Sequence, residues 1–186
     1  MSVVSLQQQM QELNLIGMMQ VLETDLTMAN KQDWSHEEFL SKILQSEKSH
    51  RDEKFIDKKI KGAHFKRNAM LEEFDMTVKR GVTKSILQEL MSLRWLENSK
   101  PIVFVGQTGM GKSYLAEALG RYACSHRKTV LFKESTELFL MINESRRMNK
   151  YLSTRKRLAS FDVLIIDDFG MRKLNSTEAQ DLKRIT

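Results

Sequence analysis

Residues 101–119 read PIVFVGQTGMGKSYLAEAL, and three local patterns follow one another in that order. Ile102, Val103, Phe104 and Val105 form a short apolar run of the kind that makes a strand buried on both faces. Gly106, Gln107, Thr108, Gly109, Met110, Gly111, Lys112 and Ser113 match G-x-x-x-x-G-K-[ST], and Tyr114, Leu115, Ala116, Leu119 and Tyr122 then recur at helical spacing. A strand, a glycine loop and a helix in this order build a phosphate cradle. The glycines let successive N–H groups turn inward, and the helix points its positive end at the anion. In such a cradle Lys112 reaches the β- and γ-phosphates of a nucleotide, and the Ser113 hydroxyl holds Mg2+.

A second motif belongs with the first. Phe161-Asp162-Val163-Leu164-Ile165-Ile166-Asp167-Asp168 is another apolar strand, and it ends in two carboxylates. A magnesium nucleotide site needs a carboxylate on a strand beside the glycine loop, and Asp167 occupies that place. The interval from Lys112 to Asp167 has room for a helix, a strand and a second helix. Thr129 to Phe132 reads as that strand, and Glu137 to Met148 as a helix behind it.

The chain has 186 residues, enough for one large domain or two small ones with a real core. Its apolar runs are strand-length, and the N-terminus lacks the basic-then-apolar order of a secretory leader, so neither a membrane span nor export is expected. Cys124 is the one cysteine, which excludes an internal disulfide and a cysteine-built zinc cluster. Together these place the chain in the cytoplasm. A net charge of +6 favours an anionic partner, nucleic acid being the commonest for a basic nucleotide-binding chain. Arg146, Arg147, Lys150, Arg155, Lys156 and Arg157 form the most one-sided basic run, uninterrupted by an acid between Glu144 and Asp162, and are the candidate nucleic-acid contacts.

Upstream, residues 1–30 contain no lysine or arginine, and Leu6, Met10, Leu13, Ile16, Met19, Leu22 and Leu26 keep a spacing of three or four, one apolar stripe on a helix. Ser35-His36-Glu37-Glu38 reads as a capping box that starts a second helix. From Glu47 to Lys61 that helix is mostly charged. Its basic group, Lys58, Lys59, Lys61, Lys66 and Arg67, is either a solvated face or a phosphate-contacting one. A further helix capped by Thr83 carries Ile86, Leu87, Leu90, Met91, Trp95 and Leu96, and Asn98-Ser99-Lys100-Pro101 ends it. The reading is therefore a helical N-terminal region, 1–70, followed by an α/β nucleotide domain, 71–186.

These residues together resemble a known family. ELNLIGMMQVLE near the start, AMLEEFDM ahead of a helix, GQTGMGKS and VLIIDDFG look like the IstB/DnaC group of AAA+ ATPases, nearest to the IstB-type helpers of bacterial insertion sequences. The resemblance implies a P-loop NTPase fold of AAA+ type, with ATP and Mg2+ as cofactors. It also implies double-stranded DNA and the transposase of the same element as partners, and self-association. Relatives load a replicative helicase in DNA replication, and a non-catalytic nucleic-acid-binding fragment is a third reading. Many AAA+ proteins have a water-orienting glutamate after the magnesium aspartate. Asp168 stands there and takes that catalytic role beside Lys112. By the same resemblance the strand at Ile102 lies centrally, flanked by two later strands that carry sensor and finger residues. The chain reaches Thr186 without them, so a truncated copy is expected, with a helix beginning near Ser176 and negligible turnover. The strands at Thr129 and Val163 are then left to pair with each other, and the strand of the glycine loop lacks its neighbours.

Overall fold

The computed structural model describes residues 3–78, 81–97, 101–171 and 173–185. The chain divides into two compact units, Met1–Asp57 and Lys58–Thr186. The division falls within a helix, and residues 58–70, which the sequence reading joined to the N-terminal region, pack with the second unit.

In the first unit the single stripe over residues 1–30 becomes two helices, α1 (Val3–Glu12) and α2 (Ile16–Gln32). Asn14 breaks them with φ 54°, a left-handed conformation that asparagine tolerates better than most residues. Leu13, counted in the stripe, is exposed as a result. The side chains of Gln7 and Glu23 meet at 3.1 Å, as two helices folded back about Leu15 require. The helix α3 (His36–Ala63) starts from the expected capping box: Ser35 N–H donates to Glu38 Oε2 at 2.7 Å, and Glu38 N–H donates to Ser35 Oγ at 3.1 Å.

The contact of α2 with α3 depends on a missing side chain. A Cβ on Gly17 would lie 2.7 Å from Glu47 Cα, His50 Cβ and the Ser46 carbonyl oxygen, so no larger residue fits there. Beside it the buried Glu47 carboxylate accepts from Met18 N–H at 3.1 Å and from Arg51 Nε at 2.7 Å. This places a negative charge on free N–H groups in the first turn of α2.

The second unit is three layers. Strands β1 (Val130–Glu134) and β2 (Val163–Asp167) pair in parallel, from Val130 opposite Val163 to Glu134 opposite Asp167. Thr129 and Asp162 start both strands, since Asp162 Oδ2 accepts from Thr129 N–H at 2.7 Å and from its hydroxyl at 2.6 Å. On one face Val130, Val163 and Ile165 meet Ala63 and Phe65 and, from helix α6 (Lys112–Ser125), Ala123 and Cys124. On the other, Leu131, Leu164 and Ile166 meet α7 (Ser135–Arg147), α8 (Tyr151–Ala159) and α9 (Ser176–Ile185). The outer side of α6 is covered by Ala69, Leu71 and Phe74, three residues of the AMLEEFDM segment, and by α4 (Lys84–Met91). Thr83 caps α4 by accepting from Ile86 N–H at 3.2 Å. The single helix expected there is broken at Leu93, φ 54°, before the short α5 (Arg94–Glu97). The helix-ending tetrad at Asn98 lies, except for Pro101, outside the described residues.

One expectation is corrected. Ile102 to Val105 forms no strand. Ile102 and Phe104 are half-buried, with Phe104 against the α6 layer, but Val103 and Val105 are 73% and 89% exposed. An apolar run becomes a strand only when a neighbour accepts and donates its ladder bonds. Among the described residues β1 and β2 pair with each other, and this run stands outside the sheet. The helix α9 begins at Ser176, as expected, and Asn175 caps it. Asn175 Oδ1 accepts from Glu178 N–H at 2.8 Å, and Glu178 Oε2 accepts from Asn175 N–H at 3.0 Å. No helix among the described residues is long and apolar enough to cross a membrane.

Glu47 provides a pH test of the first unit. Burial pushes its pKa up, but the Arg51 guanidinium and the N–H groups of Met18 and Gly17 outweigh burial and hold it below the ordinary 4.5. A depressed acid contributes stability that is complete above its ordinary pKa and lost as pH falls through the folded one. Glu47→Gln should therefore melt below the parent chain at pH 7. The gap in melting temperature should close once the pH is well under 4.5.

Candidate nucleotide site

The glycine loop lies between the unpaired apolar run and α6. Gly109 and Gly111 have φ 83° and 81°, the left-handed region where glycine alone avoids a steric penalty, and Gly111 is the residue from which α6 starts. No side chain caps α6. Its first N–H groups therefore remain available to an anion. Residues Gly106 to Gly109 are exposed, and Met110 to Ser113 are half-buried. Lys112 Nζ donates to the Gln107 carbonyl oxygen at 2.8 Å, so the ammonium folds over the loop that it follows.

The two sequence motifs meet in space. Ser113 Oγ donates to Asp167 Oδ1 at 2.7 Å, joining the first turn of α6 to the end of β2 across a long interval of chain. This contact is possible because α6 lies close on the sheet. A Cβ on Gly120 would fall 2.6 Å from Ile165 Cδ1 and 2.9 Å from Phe65 Cε1. The hydroxyl and the carboxylate are hard oxygen donors at one point, the set that Mg2+ takes. Among the described residues no three His, Cys, Asp or Glu side chains gather around a possible metal. Mg2+ on Ser113 and Asp167 would therefore draw its other ligands from phosphate and water. Asp168 follows with φ 51° and an exposed side chain, and its carbonyl oxygen accepts from Ser135 Oγ at 3.2 Å.

Sequence reasoning missed the residues that brace this site. Glu117 is fully buried on α6, and its Oε2 accepts from the backbone N–H of Lys66 at 2.8 Å and of Arg67 at 3.0 Å. Arg67 Nε lies 2.9 Å from the other oxygen as an ion pair. Tyr114 donates its hydroxyl to the Met70 carbonyl oxygen at 3.1 Å and accepts from Met70 N–H at 3.2 Å. A glutamate among the apolar positions of a glycine-loop helix was the available signal. Lys66, read as one of a basic surface group, pairs with Glu134, and Arg67 of that group pairs with Glu117.

The basic run is divided rather than gathered. Arg146 pairs with Asp181, which is 1% exposed and also accepts from Tyr151 Oη at 2.7 Å. The Arg146 guanidinium lies 4.5 Å from the Tyr151 ring centroid, so this residue fastens α9 to α7 and α8. Arg147, Lys150, Lys156 and Arg157 are exposed and Arg155 is half-buried. Arg155, Lys156 and Arg157 are successive on α8 and diverge by about 100° each, so they do not share one face.

The model of a family described as IstB-like ATP binding protein matches residues 8–186. A Sinorhizobium fredii protein named as an insertion-sequence ATP-binding protein is 28% identical over 93% of this chain and 71% of its own length. One named for insertion sequence IS21 of Pseudomonas aeruginosa is 30% identical over 85% of this chain and 60% of its own, so the chain spans less than two thirds of that relative. A Mycobacterium tuberculosis protein similarly named is 28% identical over 96% of this chain and 71% of its own.

Arg146 should behave as a structural residue. Arg146→Ala leaves the buried Asp181 carboxylate without its cation and should cost about 3 kcal/mol in urea unfolding. Adding Asp181→Asn should recover part of that loss. Additive losses would separate the two side chains.

Proposed function

The chain belongs to the family of IstB-like ATP-binding proteins, and from that premise we propose that it binds ATP with Mg2+ at Gly106–Ser113 and serves as a DNA-binding helper in the transposition of an insertion sequence. The observation that carries the nucleotide reading is the 2.7 Å bond from Ser113 to Asp167. It unites a glycine loop, a helix start without a side-chain cap and a strand-end carboxylate at one point. Mg2+ held by Ser113 and Asp167 would supply neutralisation of the phosphate charge. The chain's own residues do the rest: the loop N–H groups and the start of α6 cradle the phosphates, Lys112 turns from the Gln107 carbonyl to a phosphate oxygen, and Asp168 orients water at the γ-phosphate. The role in transposition is supported by the names of the relatives, which tie them to insertion sequences. In this reading the transposase of the same element and a second copy of the chain are its protein partners.

Double-stranded DNA is the proposed nucleic-acid partner. The exposed Arg147, Lys150, Lys156 and Arg157, with half-buried Arg155, supply the phosphate contacts. Arg146, held by Asp181, is left out of that set.

Two measurements test the proposal. Lys112→Ala should weaken binding of a fluorescent ATP analogue about ten- to a hundredfold, the worth of one charge-assisted contact. Equal affinities would remove the loop from the mechanism. DNA binding should be sequence-independent, with a slope of log K against log salt of about −0.9 for each phosphate neutralised. The triple change of Arg155, Lys156 and Arg157 to alanine should flatten that slope, and an unchanged slope would return the cluster to plain surface.

A further inference from the structure

The last pair in the sheet sets two carboxylates side by side at the end where the glycine loop lies, Glu134 on β1 opposite Asp167 on β2. Alternation along the strands puts both on the face toward α6, the face that also carries Val130, Val163 and Ile165. The side-chain partners agree. Ser113 reaches Asp167 from the start of α6, and Lys66 reaches Glu134 from the turn after α3. Like charges on opposed residues of neighbouring strands oppose pairing, so this corner of the sheet requires a cation. Lys66 supplies one, and its place is held firmly: the buried Glu117 grips the N–H groups of Lys66 and Arg67. The Lys66 ammonium also lies 6.0 Å from the Phe132 ring centroid. The Glu134 side chain is 33% exposed, so its carboxylate meets water as well as Lys66.

We propose that Glu134 is a positioning residue of the Mg2+·nucleotide site, accepting hydrogen bonds from water on the cation that Ser113 and Asp167 hold, with Lys66 as the counter-charge competing for the same carboxylate. The inference rests on the nucleotide reading above. Mg2+ surrenders its waters reluctantly, and a carboxylate one strand away from the ligating one is placed to accept from them. Lys66 and hydrated Mg2+ are both cations drawn to Glu134. Removing Glu134 therefore weakens the metal, whereas removing Lys66 strengthens it. A salt bridge that only stabilises the fold predicts no such opposition, because loss of either partner acts in the same direction.

The test is binding of a fluorescent ADP analogue by the 186-residue chain, titrated with Mg2+ and repeated in EDTA. Glu134→Gln should raise the Mg2+ midpoint about tenfold, a typical cost of losing a group that supports a metal's ligands. Its affinity in EDTA should not fall below the parent value, since without the metal the lost carboxylate only relieves repulsion of the phosphates. Glu134→Asp keeps the charge and should restore most of the Mg2+ response, and Lys66→Gln should lower the midpoint. Melting curves identify any variant that fails to fold, and the remaining two still decide the matter. Midpoints unmoved in the folded variants, or moved the same way by Lys66→Gln and Glu134→Gln, overturn the inference while leaving nucleotide binding intact. A parent chain that binds no analogue at any Mg2+ concentration overturns the nucleotide reading and this inference with it.

Discussion

Ser113 and Asp167 touch only because α6 lies almost on the sheet, and α6 lies there because Gly120 presents no Cβ to Ile165 and Phe65. Even one methyl at that point would displace the Ile165 Cδ1 methyl and the Phe65 ring, and Phe65 belongs to the turn that covers the helix. The helix is consequently gripped on several sides. Ala123 and Cys124 meet the sheet layer, Leu115 and Ala118 meet the 69–74 segment, and Glu117 holds the backbone of Lys66 and Arg67. A glycine loop binds phosphate well only if the helix behind it does not tilt, since its N–H groups must converge on one anion.

Three buried carboxylates do similar work in different parts of the molecule. Glu47, Glu117 and Asp181 are each nearly inaccessible to water, and each carries an arginine with other donors. Glu47 takes an N–H at the start of α2, Glu117 takes two at the turn after α3, and Asp181 takes the Tyr151 hydroxyl. A carboxylate in an apolar interior is costly unless it is paired, so loss of its arginine leaves an uncompensated charge between two packed elements.

The run from Ile102 to Val105 is the instructive exception to the packing. Its inner residues serve the α6 layer, whereas Val103 and Val105 face solvent. Its composition is that of a central strand, and its surroundings are not. Strand formation requires backbone partners, which no local pattern contains.

What the sequence determined by itself was everything that depends on near neighbours along the chain. The glycine loop and its helix, the capping box at Ser35, the Thr83 cap, and the apolar runs that make β1 and β2 were legible because each involves contacts within a few residues. So was the pairing of Ser113 with Asp167, since phosphate and Mg2+ chemistry demands both groups whatever lies between them. Tertiary structure alone decided which charges are free. Arg146, Arg67 and Lys66 read as an exposed basic surface, yet each has an acid partner brought in from a distant element. Tertiary structure alone also decided that Gly17 and Gly120 are closely approached by other elements, and that Glu134 stands beside Asp167. The physical reason is the same in each case. Electrostatic partners and steric limits act through space at a few ångströms, and a sequence records only distance along the chain.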